Sequence, residues 1–202
     1  MPTVLVTAFE PYDRWQQNAS WLSLLELTRE LPEQPRIVTR LYPVDFQKVR
    51  QRLEVDLADG YDFALHLGQA PGSGRIQLEA IGLNVGGTSS QLADHFQPLD
   101  PAGPIAYRSE LPLADWSTKI RAAGIPATVS YHAGTFLCNA VLYLSHHLVR
   151  ARGLDTQTTF VHMPLAPQQV LDDRGDTATM SPGMTSQALR IILQEIAETN
   201  DK

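Results

Sequence analysis

The sequence predicts an α/β fold in which a twisted, mostly parallel sheet is covered by helices on both faces. Segments with strand-like and helix-like patterns broadly alternate along the 202 residues, which is the order of α/β folds. The first of them, Thr3–Phe9, is a continuous apolar and β-branched run, typical of a strand buried on both faces. A hydrophobic content of 43% is enough for one core, so we expect residues 1–202 to form a single domain.

Five more strands and five helices are expected after the first strand. Short runs of Val, Ile, Thr and aromatic residues indicate the strands, and apolar residues at three- and four-residue spacing indicate the helices. Asp45 is a typical N-cap, and Pro182 suits the first turn of the last helix. A Pro-Gly-Ser-Gly turn at residues 71–74 predicts a β-turn-β insertion. Expected strands cover residues 36–41, 63–69, 75–81, 127–131 and 156–164, and expected helices begin near residues 18, 45, 116, 135 and 181.

Residues 86–112 are rich in Gly, Ser, Pro and Asp and have little periodic apolar pattern. They predict a long excursion over the surface. Loops of this length are uncommon in compact domains unless they have a function of their own. We therefore expect this segment to serve as a lid or as an interface.

Composition and charge exclude several classes of function. A net charge of -6 argues against nucleic acid or an anionic membrane as the main partner, because both select basic patches. No stretch is long and apolar enough to span a bilayer. A single cysteine cannot form an intramolecular disulfide, which favours the cytoplasm. We expect no metal and no cofactor, since the sequence lacks a His-Glu-x-x-His motif, a cysteine pair and an Asp-rich calcium loop.

The only cysteine, Cys138, lies where a β-favouring run meets an Ala-Gly-Thr turn and an apolar helix. If Thr135 caps this helix, Cys138 falls within its first turn, where the helix dipole favours a thiolate. The unpaired N–H groups of that turn are suited to hold an oxyanion. A lone cysteine is more often a small buried hydrophobe, so a structural role for Cys138 stays open at this point.

Six histidines compete for the role of general base. Five are less suitable because they lie too far along the same helix, inside the 86–112 excursion, before the turn, or within a buried strand: His146, His147, His95, His132 and His66. His162 is the best candidate, since it ends a predicted strand. Parallel strands bring their carboxyl ends to one edge of the sheet, where the helix of Cys138 is also expected to begin.

Two further features have a structural and a functional interpretation. Glu79 shares a side of its strand with Gln77, and a single carboxylate at such a position most often faces water. The aromatic loop from Phe9 to Trp15 either packs as a lid or lines a pocket. The second interpretation rests on the rule that open α/β sheets bind ligands at the carboxyl ends of their strands.

Four motifs occur together, in order, over nearly the whole chain. They are residues 4–12 with Asn18-Ala-Ser-Trp, Gly68-Gln-Ala with Glu79, Ala133-Gly-Thr-Phe-Leu-Cys-Asn, and Phe160-Val-His-Met-Pro. This combination resembles the pyroglutamyl peptidase I (pyrrolidone-carboxylate peptidase) family of cysteine peptidases. The resemblance implies a three-layer α/β/α sandwich that removes an N-terminal 5-oxoproline from peptides through an acyl-enzyme. Because family members are commonly tetrameric, it also implies a homotetramer.

The resemblance assigns roles to individual residues. It implies Cys138 as the nucleophile, His162 as the general base and acid, and Glu79 as the group that orients the imidazole. It also implies a substrate pocket with apolar walls and a few polar partners for the lactam. The walls are Phe9, Tyr12 and Phe136, and the partners are Asn18 and the backbone of Gln69.

The sequence also departs from the pattern of this family. Ala8 replaces a usual glycine, Tyr12 a usual phenylalanine, and Asp13-Arg14 a usual pair of glycines. After Asn84-Val85 the family often continues with acidic residues and an arginine near the oxyanion, whereas this chain has Gly86-Gly-Thr-Ser-Ser. These departures bear on turnover rate and substrate range more than on reaction type.

Three hypotheses follow from the residues and the resemblance. The first is a cysteine peptidase specific for N-terminal 5-oxoproline. The second is a family member that binds pyroglutamyl or related lactam ligands with little or no catalysis. The third, a phosphorolytic transferase on a related scaffold, is disfavoured by the absence of a basic anion cluster in the sequence.

Overall fold

The computed structural model describes residues 1–88 and 90–199, so residue 89 of the excursion and residues 200–202 lie outside the described part. These residues form eight strands and five α-helices. They are β1 Thr3–Phe9, α1 Ala19–Thr28, β2 Arg36–Tyr42, α2 Phe46–Asp56, β3 Phe63–Gln69, β4 Ile76–Glu79, β5 Ile81–Leu83, β6 Ala106–Arg108, α3 Leu113–Ala122, β7 Ala127–Ser130, α4 Leu137–Arg152, β8 Gln157–Met163 and α5 Pro182–Thr199. Strands and helices alternate except where β3, β4, β5 and β6 follow one another.

Six strands form the main sheet in the order β2-β1-β3-β8-β4-β7. The four strands β2, β1, β3 and β8 are mutually parallel, whereas β4 pairs antiparallel with β8 and parallel with β7. The predicted mostly parallel sheet is therefore confirmed. The predicted β-turn-β insertion is confirmed only in that the chain reverses its direction between β3 and β4. The turn at 71–74 does not close a hairpin, because β8 lies between these two strands.

Two apolar clusters fill the faces of this sheet, because alternate residues of a strand point to opposite sides. Val4 and Val6 of β1 belong to a cluster that includes residues of α1, α3 and α5. Leu5 belongs to a second cluster, formed with α2 and α4. The expected α/β/α layering is confirmed. None of the helices in residues 1–88 and 90–199 is long and apolar enough to cross a membrane.

Several expected helix starts are confirmed locally. Asp45 caps α2 by accepting a hydrogen bond from the backbone N–H of Lys48 at 2.8 Å. Pro182 opens α5, where its missing N–H has no helical partner to lose. Helix α3 begins at Leu113, three residues before the expected Trp116, because the chain turns into the helix directly after Pro112.

The described part of the 86–112 excursion contains more regular structure than its composition predicts. Strand β6 pairs antiparallel with β5, and a single bridge joins Gly86 to Gln97. Arg50 of α2 donates to the carboxylate of Asp100 at 3.0 Å, and the Asn84 side chain donates to the carbonyl of the same residue at 2.7 Å. The segment is thus fastened to the body of the protein, while its role as lid or interface stays a prediction.

His66 is a hydrogen-bonded core residue, as the sequence predicts. Its Nδ1 lies 2.8 Å from Thr7 Oγ1, and its Nε2 lies 2.8 Å from Ser145 Oγ. Since Ser145 Oγ donates to the carbonyl of Val141, it accepts from Nε2–H, which leaves Nδ1 to accept from Thr7. Burial lowers the pKa of His66 to about 3, so the ring is neutral at physiological pH. This chain of bonds ties β1 and β3 to α4.

A pair of threonines tests the energetic value of this chain. Thr7 and Thr158 are both buried, but the hydroxyl of Thr158 has no hydrogen-bond partner within residues 1–88 and 90–199. We expect Thr7→Val to lower the free energy of unfolding by about 1–3 kcal/mol, because it leaves His66 Nδ1 unpaired. Thr158→Val removes an unsatisfied polar group and should be neutral or stabilising. Urea unfolding measures both, and equal effects of the two substitutions would contradict this interpretation.

Candidate active site

Cys138 lies in the first turn of α4, as expected, but the expected cap of that helix was wrong. The helix begins at Leu137 with Phe136 as its N-cap, and no side chain caps it. Thr135 lies one residue too early, and its carbonyl accepts a hydrogen bond from Gly87 N–H at 2.9 Å instead. The first-turn N–H groups beside the sulfur are consequently left without a capping side chain, as an oxyanion site requires.

Asn139, the residue after the cysteine, fixes the start of α4 to the chain that follows β5. It is fully buried. Its Oδ1 accepts from Leu83 N–H at 2.8 Å, and its Nδ2 donates to the carbonyls of Leu83 and Val85, each at 2.9 Å. Sequence reasoning gave this residue no role. The signal was a polar residue in the apolar first half of the helix, because buried amides require partners.

The sulfur of Cys138 packs against the end of β3 at Gly68. A Cβ atom at this position would lie 2.9 Å from Cys138 Sγ and 2.6 Å from the ring of Phe160. Neither distance is compatible with an ordinary carbon contact. Only glycine therefore allows the sulfur and the aromatic ring to approach the strand this closely.

His162 and Glu79 form a buried pair on neighbouring strands. His162 Nδ1 lies 2.8 Å from Glu79 Oε1, and the glutamate is fully buried. The interpretation of Glu79 as a carboxylate that faces water was therefore wrong. In the antiparallel pair of β4 and β8, Glu79 lies opposite Phe160, so their side chains point to the same face of the sheet. His162 follows Phe160 by two residues and therefore also points to that face.

The prediction that parallel strands bring Cys138 and His162 to the same edge of the sheet was wrong. Strand β7 runs antiparallel to β8, so its carboxyl end does not share an edge of the sheet with His162. A loop of residues 131–136 connects the carboxyl end of β7 to the start of α4. As a result, this loop brings the first turn of α4 to His162, close enough for Cys138 to raise the pKa of the imidazole.

Opposing influences set the protonation of His162. Burial by itself lowers the pKa of this imidazole, but the charge and hydrogen bond of Cys138 and the carboxylate of Glu79 together raise it to about 10. With Nδ1–H bonded to Glu79, Nε2 is the nitrogen left for the sulfur. The arrangement stabilises the charged form of the imidazole.

A small pocket opens beside Cys138 and contains every residue that the sequence assigned to substrate binding. Tyr12 and Phe136 face each other with ring centroids 6.4 Å apart. Val44 and Leu137 also line the pocket and were missed, because single aliphatic residues next to element ends carry no distinctive signal. The full lining is Phe9, Tyr12, Asn18, Val44, Gln69, Phe136, Leu137 and Cys138.

The polar side chains of this pocket differ in how far they are already engaged. Asn18 Oδ1 caps α1 by accepting from the backbone N–H of Ser20 at 3.1 Å, and it also accepts from the hydroxyl of that residue at 2.8 Å. Its Nδ2 donates to Glu10 O at 3.1 Å, which leaves one hydrogen for a ligand. Gln69 Oε1 accepts from Ala19 N–H, while Gln69 Nε2 is buried and has no hydrogen-bond partner among the residues that the structure describes.

Comparison with known proteins matches residues 2–199 to the family described as pyroglutamyl peptidase. The chain belongs to the pyroglutamyl peptidase family. A pyrrolidone-carboxylate peptidase from Clavibacter michiganensis subsp. michiganensis is 38% identical over 85% of this chain and 82% of that protein. Pyrrolidone-carboxylate peptidase 1 from Ralstonia nicotianae is 36% identical over 96% of this chain and 92% of that protein.

Solved structures of pyroglutamyl peptidases have the same fold. The pyrrolidone carboxyl peptidase of Fervidobacterium islandicum superposes with a TM-score of 0.90 at 31% identity, covering 98% of this chain and 99% of that one. A mutant pyrrolidone carboxyl peptidase from Pyrococcus furiosus gives a TM-score of 0.89 at 31% identity over 98% and 99% of the two chains. Among residues 1–88 and 90–199, no group of three His, Cys, Asp or Glu side chains is placed to hold a metal ion.

The histidine pKa values provide a test that is independent of substrate. At pH 8 we expect His162 to be charged, because its pKa is raised to about 10, while His66 and His146, lowered to about 3 and 4, stay neutral. Cys138→Ser and Glu79→Gln each remove a group that raises the pKa of His162, so both should lower it. Nitrogen NMR of labelled histidine measures these titrations, and a wild-type His162 that titrates near its ordinary value would contradict the assignment.

Proposed function

We propose that Cys138, His162 and Glu79 carry out the peptidase chemistry of this family and release an N-terminal 5-oxoproline from peptides. One observation supports this most strongly. The Glu79–His162 pair lies close enough to Cys138, at an uncapped helix start, for the cysteine to raise the pKa of the imidazole, and a small apolar pocket opens beside that sulfur. A nucleophile, an oriented base and an anion-stabilising site are thus within reach of one bound group.

The first step is acylation. The thiolate of Cys138 attacks the carbonyl carbon that joins the oxoproline ring to the next residue, and the carbonyl oxygen becomes an oxyanion held by N–H groups of the first turn of α4. His162 Nε2–H then gives its proton to the departing amine, which breaks the peptide bond and leaves a pyroglutamyl thioester. Glu79 keeps the imidazole in this orientation and stabilises its charged form.

The second step is hydrolysis of the thioester. After acylation His162 is neutral, and its Nε2 accepts a proton from water as the oxygen attacks the same carbonyl carbon. The tetrahedral intermediate expels the sulfur of Cys138 as a thiolate and releases free 5-oxoproline. The imidazolium and thiolate are restored, so the cycle needs water as its only other reactant.

The pocket supports specificity for a small uncharged ring. Phe9, Tyr12 and Phe136 provide flat apolar walls, and the free hydrogen of Asn18 and the amide and backbone of Gln69 provide polar contacts. A family member that binds lactams without catalysis is the second candidate. The assembled chemical residues favour catalysis, and hydrolysis of a fluorogenic pyroglutamyl amide separates the two hypotheses.

Three wider expectations belong to this proposal. We propose that residues 1–202 form one catalytic domain, that the protein acts in the cytoplasm, and that it assembles as a homotetramer. A free cysteine as nucleophile is suited to a reducing compartment. Light scattering coupled to size-exclusion chromatography measures the assembly directly, and the family resemblance predicts four chains.

Variants of the three chemical residues should separate their roles. Cys138→Ala should abolish hydrolysis of a pyroglutamyl amide. His162→Ala should reduce kcat/KM by about 10² to 10⁴ by removing proton transfer. Glu79→Gln should keep the fold but lose much of the rate, because an amide does not stabilise the imidazolium. Near wild-type activity in Glu79→Gln, with the fold checked by circular dichroism, would remove Glu79 from the mechanism.

The ring pocket makes a separate prediction about substrates. Proline lacks the ring carbonyl of 5-oxoproline and carries a charged amine, so it leaves a buried donor unpaired and adds a desolvation cost. We expect prolyl amides to have kcat/KM values at least ~10³-fold below those of the matching pyroglutamyl amides. Comparable values for the two amides would rule out the lactam pocket even if Cys138 is the nucleophile.

A further inference from the structure

Two glutamine side chains form a chain of hydrogen bonds behind the ring pocket. Gln169, in the short 3-10 turn that follows β8, donates from Nε2 to Gln69 Oε1 at 3.0 Å and to the carbonyl of Gln17 at 3.0 Å. The same Gln69 oxygen accepts from the backbone N–H of Ala19 at 3.0 Å. Gln169 itself does not line the ring pocket.

Backbone groups fix the orientation of both amides. A backbone N–H can only donate, so the Gln169 atom 2.8 Å from Ala166 N–H is its oxygen, and its nitrogen faces Gln69. For the same reason, the Gln69 atom beside Ala19 N–H is oxygen. Gln69 Oε1 thus accepts hydrogen bonds from both Ala19 N–H and Gln169 Nε2. Neither of these groups contacts Gln69 Nε2 as an acceptor.

The Gln69 nitrogen is the unusual group in this arrangement. Gln69 is only 4% exposed, and among the described residues its buried Nε2 has no partner at full hydrogen-bond geometry, the Tyr12 hydroxyl being a neighbour. Leaving a buried amide donor unpaired is costly, and such groups are rare in folded proteins. Gln69 also lines the ring pocket. A carbonyl oxygen bound in that pocket would satisfy the donor.

We propose that Gln69 Nε2–H donates to the ring carbonyl of the bound 5-oxoproline, and that Gln169 is the positioning residue that holds the amide in this orientation. The inference rests on the proposed function and adds a side-chain contact to the backbone of Gln69. Gln169 also bonds to the loop that carries Tyr12, through Gln17, so one side chain aligns the donor with a pocket wall. It acts on ring binding and not on proton transfer.

Protection of Cys138 from alkylation tests this without requiring turnover. Cys138 is the only cysteine, so iodoacetamide labelling reports on it alone. The probe is 2-pyrrolidone, which is the isolated lactam ring. Gln169→Glu keeps the size of the side chain and the acceptor for Ala166 but has no N–H for Gln69, and Gln169→Ala removes both. Gln168→Ala is the matched control, because Gln168 is exposed in the same turn.

We expect both Gln169 variants to raise the 2-pyrrolidone concentration for half-protection by about tenfold, the loss of one good hydrogen bond, with the unprotected alkylation rate within twofold of wild type. KM for a pyroglutamyl amide should rise similarly at nearly constant kcat, and Gln168→Ala should change neither. Unchanged protection in the Gln169 variants, or no protection of the wild type, would overturn the inference. A wild type that is protected but hydrolyses no pyroglutamyl amide would contradict the proposed function and leave this inference standing.

Discussion

The buried contact between His162 and Glu79 is the constraint on which the site depends. An ionised carboxylate and an imidazolium are expensive to remove from water, and together they are tolerated only with close pairing. Here the 2.8 Å bond and the neighbouring sulfur outweigh burial and raise the pKa of His162 to about 10. The charged imidazole is therefore the resting state, held between the carboxylate of Glu79 and the sulfur of Cys138.

The fold serves this pair by bringing together elements that are distant in sequence. Strands β4 and β8 are neighbours in the sheet and place Glu79 beside His162. Strand β4 follows β3 in sequence but lies on the far side of β8 from it. Asn139 fastens the start of α4, and Gly68 leaves room for the sulfur. Gln169, in the turn after β8, donates a hydrogen bond to Gln17 in the loop after β1. The strand that carries His162 and the loop that carries a wall of the ring pocket are therefore held together.

Sequence patterns predicted the layers and the buried strands, because these depend on local periodicity, whereas the pocket residues were implied by the family resemblance. They did not predict that β8 lies between β3 and β4, since strand order is a long-range property that no local pattern encodes. The cap at Thr135 was wrong because helix ends are decided by a residue or two. The local pattern alone left Glu79 facing water, although the family resemblance implied that it orients the imidazole, and only its partner on a neighbouring strand reveals a buried carboxylate.

The central claim is that the sulfur of Cys138 takes the acyl group while His162 moves the protons. Intact-protein mass spectrometry after acid quenching of a reaction with a pyroglutamyl ester tests it most directly, because a good leaving group lets the acyl-enzyme accumulate. The account predicts a pyroglutamyl adduct that peptide mapping places on Cys138 and that disappears as the substrate is consumed. Steady hydrolysis with no adduct on Cys138, or with the adduct on another residue, would contradict it.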